Sequence, residues 1–221
     1  MAVVEGGGSS LVAGVGAEAA SPLHVALKPV PYGLLGQYRT SHRTVLLASQ
    51  AANGRLFELQ NPHATNLVLI HRVRVEWQQT AAHTAQILDS IDLYRVTGFS
   101  AVDTTGTVTP SVSKMRASMP TTGVNVRGCT VAGVAAGMTG GTLTKDGSPL
   151  RQLGLLLQAL VPTAGPNVAI DAVWAPDVGA GESPIILAQN EGITIENRVL
   201  LGVAAGSALS IDITWSEVTT Y

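Results

Sequence analysis

A chain of 221 residues has room for one large β domain or two small ones. Only 13% of its residues are charged, against about 25% in ordinary soluble chains, and its net charge is −2. That excludes a basic footprint for nucleic acid and, with 24 glycines and abundant Ser, Thr, Ala and Val, suits a β-rich chain whose surface is partly covered by partners.

Residues 1–30 differ from everything after them. "GGGSSLVAGVGAEAASP" is Gly, Ala and Ser with scattered Val and Leu. Gly14 and Gly16 follow no strand and lack a third glycine at fingerprint spacing, so no dinucleotide turn is expected. Nearby glycines oppose a helix, and Pro22, Pro29 and Pro31 stiffen the second half. The segment reads as an extended arm ahead of a domain over residues 31–221. A solvent-exposed linker would not need Leu11, Val12, Leu23, Val25 and Leu27, so these five are expected to contact an assembly partner. No basic region precedes an apolar stretch here, which makes a poor signal peptide.

The strand candidates begin with "RTVLLAS" and "GRLFELQ". "NLVLIHRVRVEWQQT" is the strongest. Strict alternation puts Leu67, Leu69, His71, Val73, Val75 and Trp77 on one face, with Trp77 as a core anchor. Val68, Ile70, Arg72, Arg74 and Glu76 take the other. Because the strand starts apolar on both faces, Val68 and Ile70 are assigned to a second covered face or an assembly interface. His71 is expected to be a hydrogen-bonded core residue, and Arg72 and Arg74 to be solvated.

"AQILDSIDLYRVTGF" fits a helix stripe or a strand; a strand over 92–99 is preferred. Asp89 and Asp92, three apart, read as a solvated face or a turn cap. "SAVDTTGTVTPS" is a polar loop, and "GVNVRGCTVAG" and "GTLTKDG" are strands. "QLGLLLQAL" is a buried strand or a short helix, and "NVAIDAVW" and "PIILAQ" are strands. Between those two, the loop with Asp177 and Glu182 lacks the alternating oxygen ligands of a calcium loop.

The chain closes on "GITIENRVLLGVAAGSALSIDITWSEV", which reads as a hairpin. Leu209, Ile211, Ile213 and Trp215 alternate with polar residues, and Ile211, Ile213 and Trp215 are expected core anchors. Pairing Val199 with Ile211 keeps both apolar sets together and sets Arg198 against Asp212, a favourable cross-strand pair. Eight to ten such strands point to an all-β sandwich or barrel.

Catalytic signatures are missing. There is no Gly-x-Ser-x-Gly elbow and no phosphate-binding Gly-Lys loop. His24, His42, His63, His71 and His83 form no metal-ligand spacing. The lone Cys129 permits neither an internal disulfide nor a cysteine metal site, and is expected to pack as a small apolar residue. No enzyme activity, cofactor or metal is expected. No apolar run reaches the length of a membrane-spanning helix.

"GLLGQYRTSHRTVLLAS", "LFELQNP", "PIILAQNEGITIENRVLLG" and "DITWSEV" resemble a group of virion structural proteins of tailed bacteriophages, over roughly residues 33–221. The resemblance implies a jelly-roll antiparallel β-sandwich with an N-terminal arm. It implies a capsid decoration or cement protein that sits on the outer capsid surface after synthesis in the host cytoplasm. Its partners would be the major capsid protein and copies of itself, as a homotrimer, with no nucleic acid and no membrane. The alternatives are a tail, collar or fibre component, and a carbohydrate-binding β-sandwich module.

Overall fold

A computed structural model describes residues 36–44, 47, 50–79, 82, 85–130, 137–159, 167–176, 182–200 and 206–219. All of them belong to the second of two units, Gly33–Tyr221. Leu11, Val12, Leu23, Val25 and Leu27 lie outside the described residues, so the arm expectation is left there.

The described residues form strands and no helix. In chain order these are β1 (Gly36–Arg43), β2 (Arg55–Gln60), β3 (Leu67–Gln79), β4 (Ile87–Ala101), β5 (Thr107–Val108), β6 (Val112–Lys114), β7 (Asn125–Cys129), β8 (Thr142–Lys145), β9 (Arg151–Leu157), β10 (Asn167–Trp174), β11 (Ile185–Leu187), β12 (Gly192–Asn197) and β13 (Ser207–Val218).

Eight of these strands make the frame. One sheet runs β1-β13-β3-β10 and the other β2-β12-β4-β9, with every pairing antiparallel. The pairs β1/β13, β2/β12, β3/β10 and β4/β9 are nested, first strand with last and so inward. That is the wrapping of a jelly roll. The two sheets enclose one core, which includes Tyr38, Phe57, Leu59, Val73, Val75, Trp77, Ile91, Leu93, Ile193, Ile195, Leu209, Ile211, Ile213 and Trp215.

The closing hairpin is not formed. β12 belongs to one sheet and β13 to the other, so the chain crosses the sandwich between them. Asp212 faces Arg74 on β3 and Ser41 on β1, and accepts a hydrogen bond from Arg39 at 3.2 Å; it does not meet Arg198. Two strands that face each other across a core bury the same alternation as two strands side by side. The apolar pattern therefore could not separate the two arrangements.

A second correction concerns Val68 and Ile70, which lie in the core and not on a second face. On β13, Thr214 pairs with Arg72 and the next residue, Trp215, pairs with Ile70. His71 is the extra residue of a β-bulge, which reverses the parity of β3. Val68 and Ile70 thereby join Val73, Val75 and Trp77 inside. Leu69 is also buried, so the start of β3 is covered on both faces. The His71 ring is half-buried, its Nε2 lying 2.8 Å from the Ser216 hydroxyl.

The alternatives left open resolve as strands. β4 spans Ile87–Ala101, beyond the expected 92–99, and "QLGLLLQAL" supplies β9. The polar loop "SAVDTTGTVTPS" contributes the end of β4 and all of β5. Of "RTVLLAS" only Arg43, Thr44 and Leu47 are described, and Leu47 makes a single bridge to Ser207.

The described residues between β4 and β9, 102–130 and 137–150, form an insertion that reaches both sheets. β7 extends the second sheet beside β2, with β5 beyond it. β6 extends the first sheet beside β1, and β8 returns to β4. β1 holds this insertion with buried polar side chains. Tyr38 OH donates to the Pro120 carbonyl at 3.0 Å, Thr40 Oγ1 to Ser111 at 3.0 Å, and His42 Nε2 to Cys129 at 3.0 Å.

Candidate assembly surface

Strand alternation sets the outer face of β4 and β9. Ile91 and Leu93 pack inward from β4, and Leu153 and Leu155 from β9. Leu88 and Leu156 therefore point away from the core. They are direct cross-strand partners, 77% and 44% exposed. Arg198 N–H donates to the Ser90 carbonyl at 2.9 Å, which brings the residues after β12 to the same end of the sheet. Leu200 there is 55% exposed. Leu88 and Leu156 form a short apolar ridge on this outer face.

A groove of about 500 Å³ adjoins the ridge, lined by Leu88, Asp89, Ser90, Gln152, Gly154 and Arg198. Its carboxylates are structural. Asp89 Oδ1 accepts the N–H groups of Ser90 at 2.7 Å and Val199 at 2.9 Å. It acts as the expected cap, but buried: burial pushes its pKa up, and Oδ2 has no partner. Asp92 is also buried, accepting the Ser90 hydroxyl at 2.6 Å and the Gln152 amide at 3.3 Å. The solvated face expected for this pair is corrected, because strand pairing on both sides of β4 closes it.

A second groove, about 540 Å³, is lined by Arg95, Leu150, Trp174, Pro184, Ile186 and Glu191 among others. Arg95 and Glu191 pair at 2.9 Å, which neutralises both charges. Trp174 is half-buried here, whereas Trp77 and Trp215 are closed to solvent.

The expected core anchors Trp77, Ile211, Ile213 and Trp215 are all fully buried. Cys129 is a buried thiol within the core, in no disulfide. Among the described residues no group of three or more His, Cys, Asp or Glu is arranged to hold a metal ion; Asp177 lies outside them. Sequence reasoning missed the ridge. Leu88 lies ahead of the strand expected over 92–99, and only the parity of the longer β4 turns it outward.

No family model matches this chain, and comparison with curated proteins and with solved structures finds no match.

Proposed function

We propose that this chain is a non-enzymatic structural protein of a tailed-phage virion: a decoration or cement subunit that binds the outer capsid surface and stabilises the particle. Its partners are the major capsid protein and copies of itself, associated as a homotrimer. The observation that carries this reading is the Leu88–Leu156 pair, exposed side by side on a rigid sheet of a charge-poor jelly roll. Full burial of one such side chain stabilises a contact by about 1.5–3 kcal/mol. One contact of that size is weak, and simultaneous engagement of several subunits multiplies it.

The test is to mix purified protein with particles that lack it and image them. Density at icosahedral positions supports decoration. Density at a single vertex assigns a tail or collar part, and no density removes the reading. Light scattering tests the trimer, which a stable monomer at micromolar concentration would exclude.

The half-buried Trp174 in the Arg95–Glu191 groove favours a second reading, a carbohydrate-binding module. Glycan-array binding without particle binding would select it.

A further inference from the structure

Two buried carboxyls meet where the insertion after β4 crosses β2. Glu58 and Asp103 are both fully buried. Asp103 N–H donates to Glu58 Oε1 at 2.6 Å. Asp103 Oδ1 accepts from the Arg55 guanidinium at 2.8 Å and from Gly141 N–H at 2.8 Å. The remaining oxygen of each carboxyl, Glu58 Oε2 and Asp103 Oδ2, is buried with no partner.

The backbone around this group is tightly drawn together. Thr105 and Thr139 exchange hydrogen bonds at 2.9 and 3.1 Å, and Met138 N–H donates to the Arg55 carbonyl at 2.9 Å. A Cβ on Gly141 would stand 2.7 Å from the Asp103 nitrogen, so only glycine permits the approach.

Charge does not balance in this space. Two ionised carboxylates against one guanidinium leave a buried excess of one negative charge, a costly arrangement away from water. Arg127, opposite Glu58 on β7, is the other cation near it, but it is only half-buried and its guanidinium donates to the Thr109 hydroxyl in an exposed contact, so it stands outside the buried count. Thr194, opposite on β12, is uncharged. Glu196, opposite Arg55, is already paired with Lys145. A single proton removes the excess. On Glu58 it converts one orphaned acceptor into a donor, in the same pair that holds an orphaned acceptor on Asp103.

We propose that buried Glu58 carries a proton in the folded chain, and that this proton latches residues 102–106 and 137–141 onto β2. Burial pushes the Glu58 carboxyl from 4.5 up to about 7, and the Asp103 charge acts in the same direction against the hydrogen bond from Asp103 N–H and the Arg55 and Arg127 charges. The sign follows. Folded Glu58 holds its proton more tightly than unfolded Glu58, so its stabilisation is complete below 4.5 and is lost as pH rises through about 7. Above that value the latch loosens while the eight-strand frame stays paired.

Hydrogen exchange on the full chain tests this, with times scaled for the intrinsic pH dependence of exchange. Protection of the Asp103, Thr104, Thr105, Thr139 and Gly141 amides should fall by up to about tenfold per pH unit between 4.5 and about 7 and level off above that. In Glu58→Gln, whose amide keeps a donor towards Asp103 without titrating, that fall should vanish. An equal fall in both proteins overturns the latch. If Glu58→Gln does not fold, a carbon-13 carboxyl titration of the unaltered chain decides. A Glu58 resonance titrating near 7 supports the Glu58 proton, and one titrating near 4.5 overturns it. Calcium chloride alone, added at alkaline pH, completes the test. Recovered protection would assign the oxygens to a cation and overturn the proton.

Discussion

Asp92 and Glu196 stand directly opposite each other across β4 and β12, two buried carboxylates in one register pair. Like charges in that position destabilise a sheet. Here Lys145 of β8 pairs with Glu196, and its ammonium lies 4.2 Å from the centre of the Tyr94 ring. The insertion therefore supplies the cation that the frame lacks.

Lys145→Met should accordingly destabilise the protein by roughly 2–3 kcal/mol, because it leaves a buried carboxylate without its partner. The double variant Lys145→Met/Glu196→Gln should lose less than the single one. Urea midpoints of the four proteins in the cycle measure both effects.

Trp215 is fully buried and stacked on Tyr38, with ring centroids 5.8 Å apart. Trp215→Ala should cost about 3–5 kcal/mol. A denaturation midpoint close to that of the unaltered chain would contradict its place in the core.

Gly128 faces the buried His42 ring, and a Cβ there would stand 2.4 Å from His42 Cδ2. Gly128→Ala should force that ring off the Cys129 carbonyl and cost about 1–3 kcal/mol. A thermal midpoint unchanged within error would show that the ring moves aside freely.

The ridge separates stability from assembly. Leu88→Asp and Leu156→Asp, both at exposed positions, should change unfolding free energy by no more than about 0.5 kcal/mol. Particle binding should fall at least tenfold in the double variant. Pelleting with undecorated capsids measures it, and full retention of binding would move the capsid contact elsewhere.

Acid pH should weaken the fold through its histidines. Burial lowers the pKa of His42 and His71 from 6.5, so the folded state resists their protonation. Their stabilisation is present above 6.5 and is lost as pH falls through their lower folded values. Glu58 and Asp89, whose pKa values are raised, act in the opposite sense. Thermal midpoints across pH for His42→Gln and His71→Gln should show a flatter acid limb than the unaltered chain.

Strands with aliphatic alternation were legible in the sequence. "NVAIDAVW" is β10 from end to end, and the faces of β13 follow its alternation through Trp215. Alternation reports which way a side chain points, not which sheet its strand joins, so the crossing between β12 and β13 stayed hidden. The bulge at His71 was hidden for a related reason: one inserted residue exchanges the faces without altering composition. β1 escaped notice because its buried positions include Tyr38, Thr40 and His42, whose polar atoms bond the insertion. The assembly surface needed both strands at once. Leu88 and Leu156 are far apart in the chain, and only their register makes them a pair.

The nesting of the strands also bears on how the chain reaches its fold. β13, the last described strand, is inserted between β1 and β3, and the Arg39–Asp212 hydrogen bond joins residues 173 positions apart. The centre of the first sheet thus joins strands far apart in the chain. β1 and β3 leave the ribosome with their shared neighbour still unmade, each exposing an unpaired edge. Folding of such a sheet is expected on the millisecond-to-second scale. During synthesis those edges are the places where two nascent chains are most prone to pair with each other.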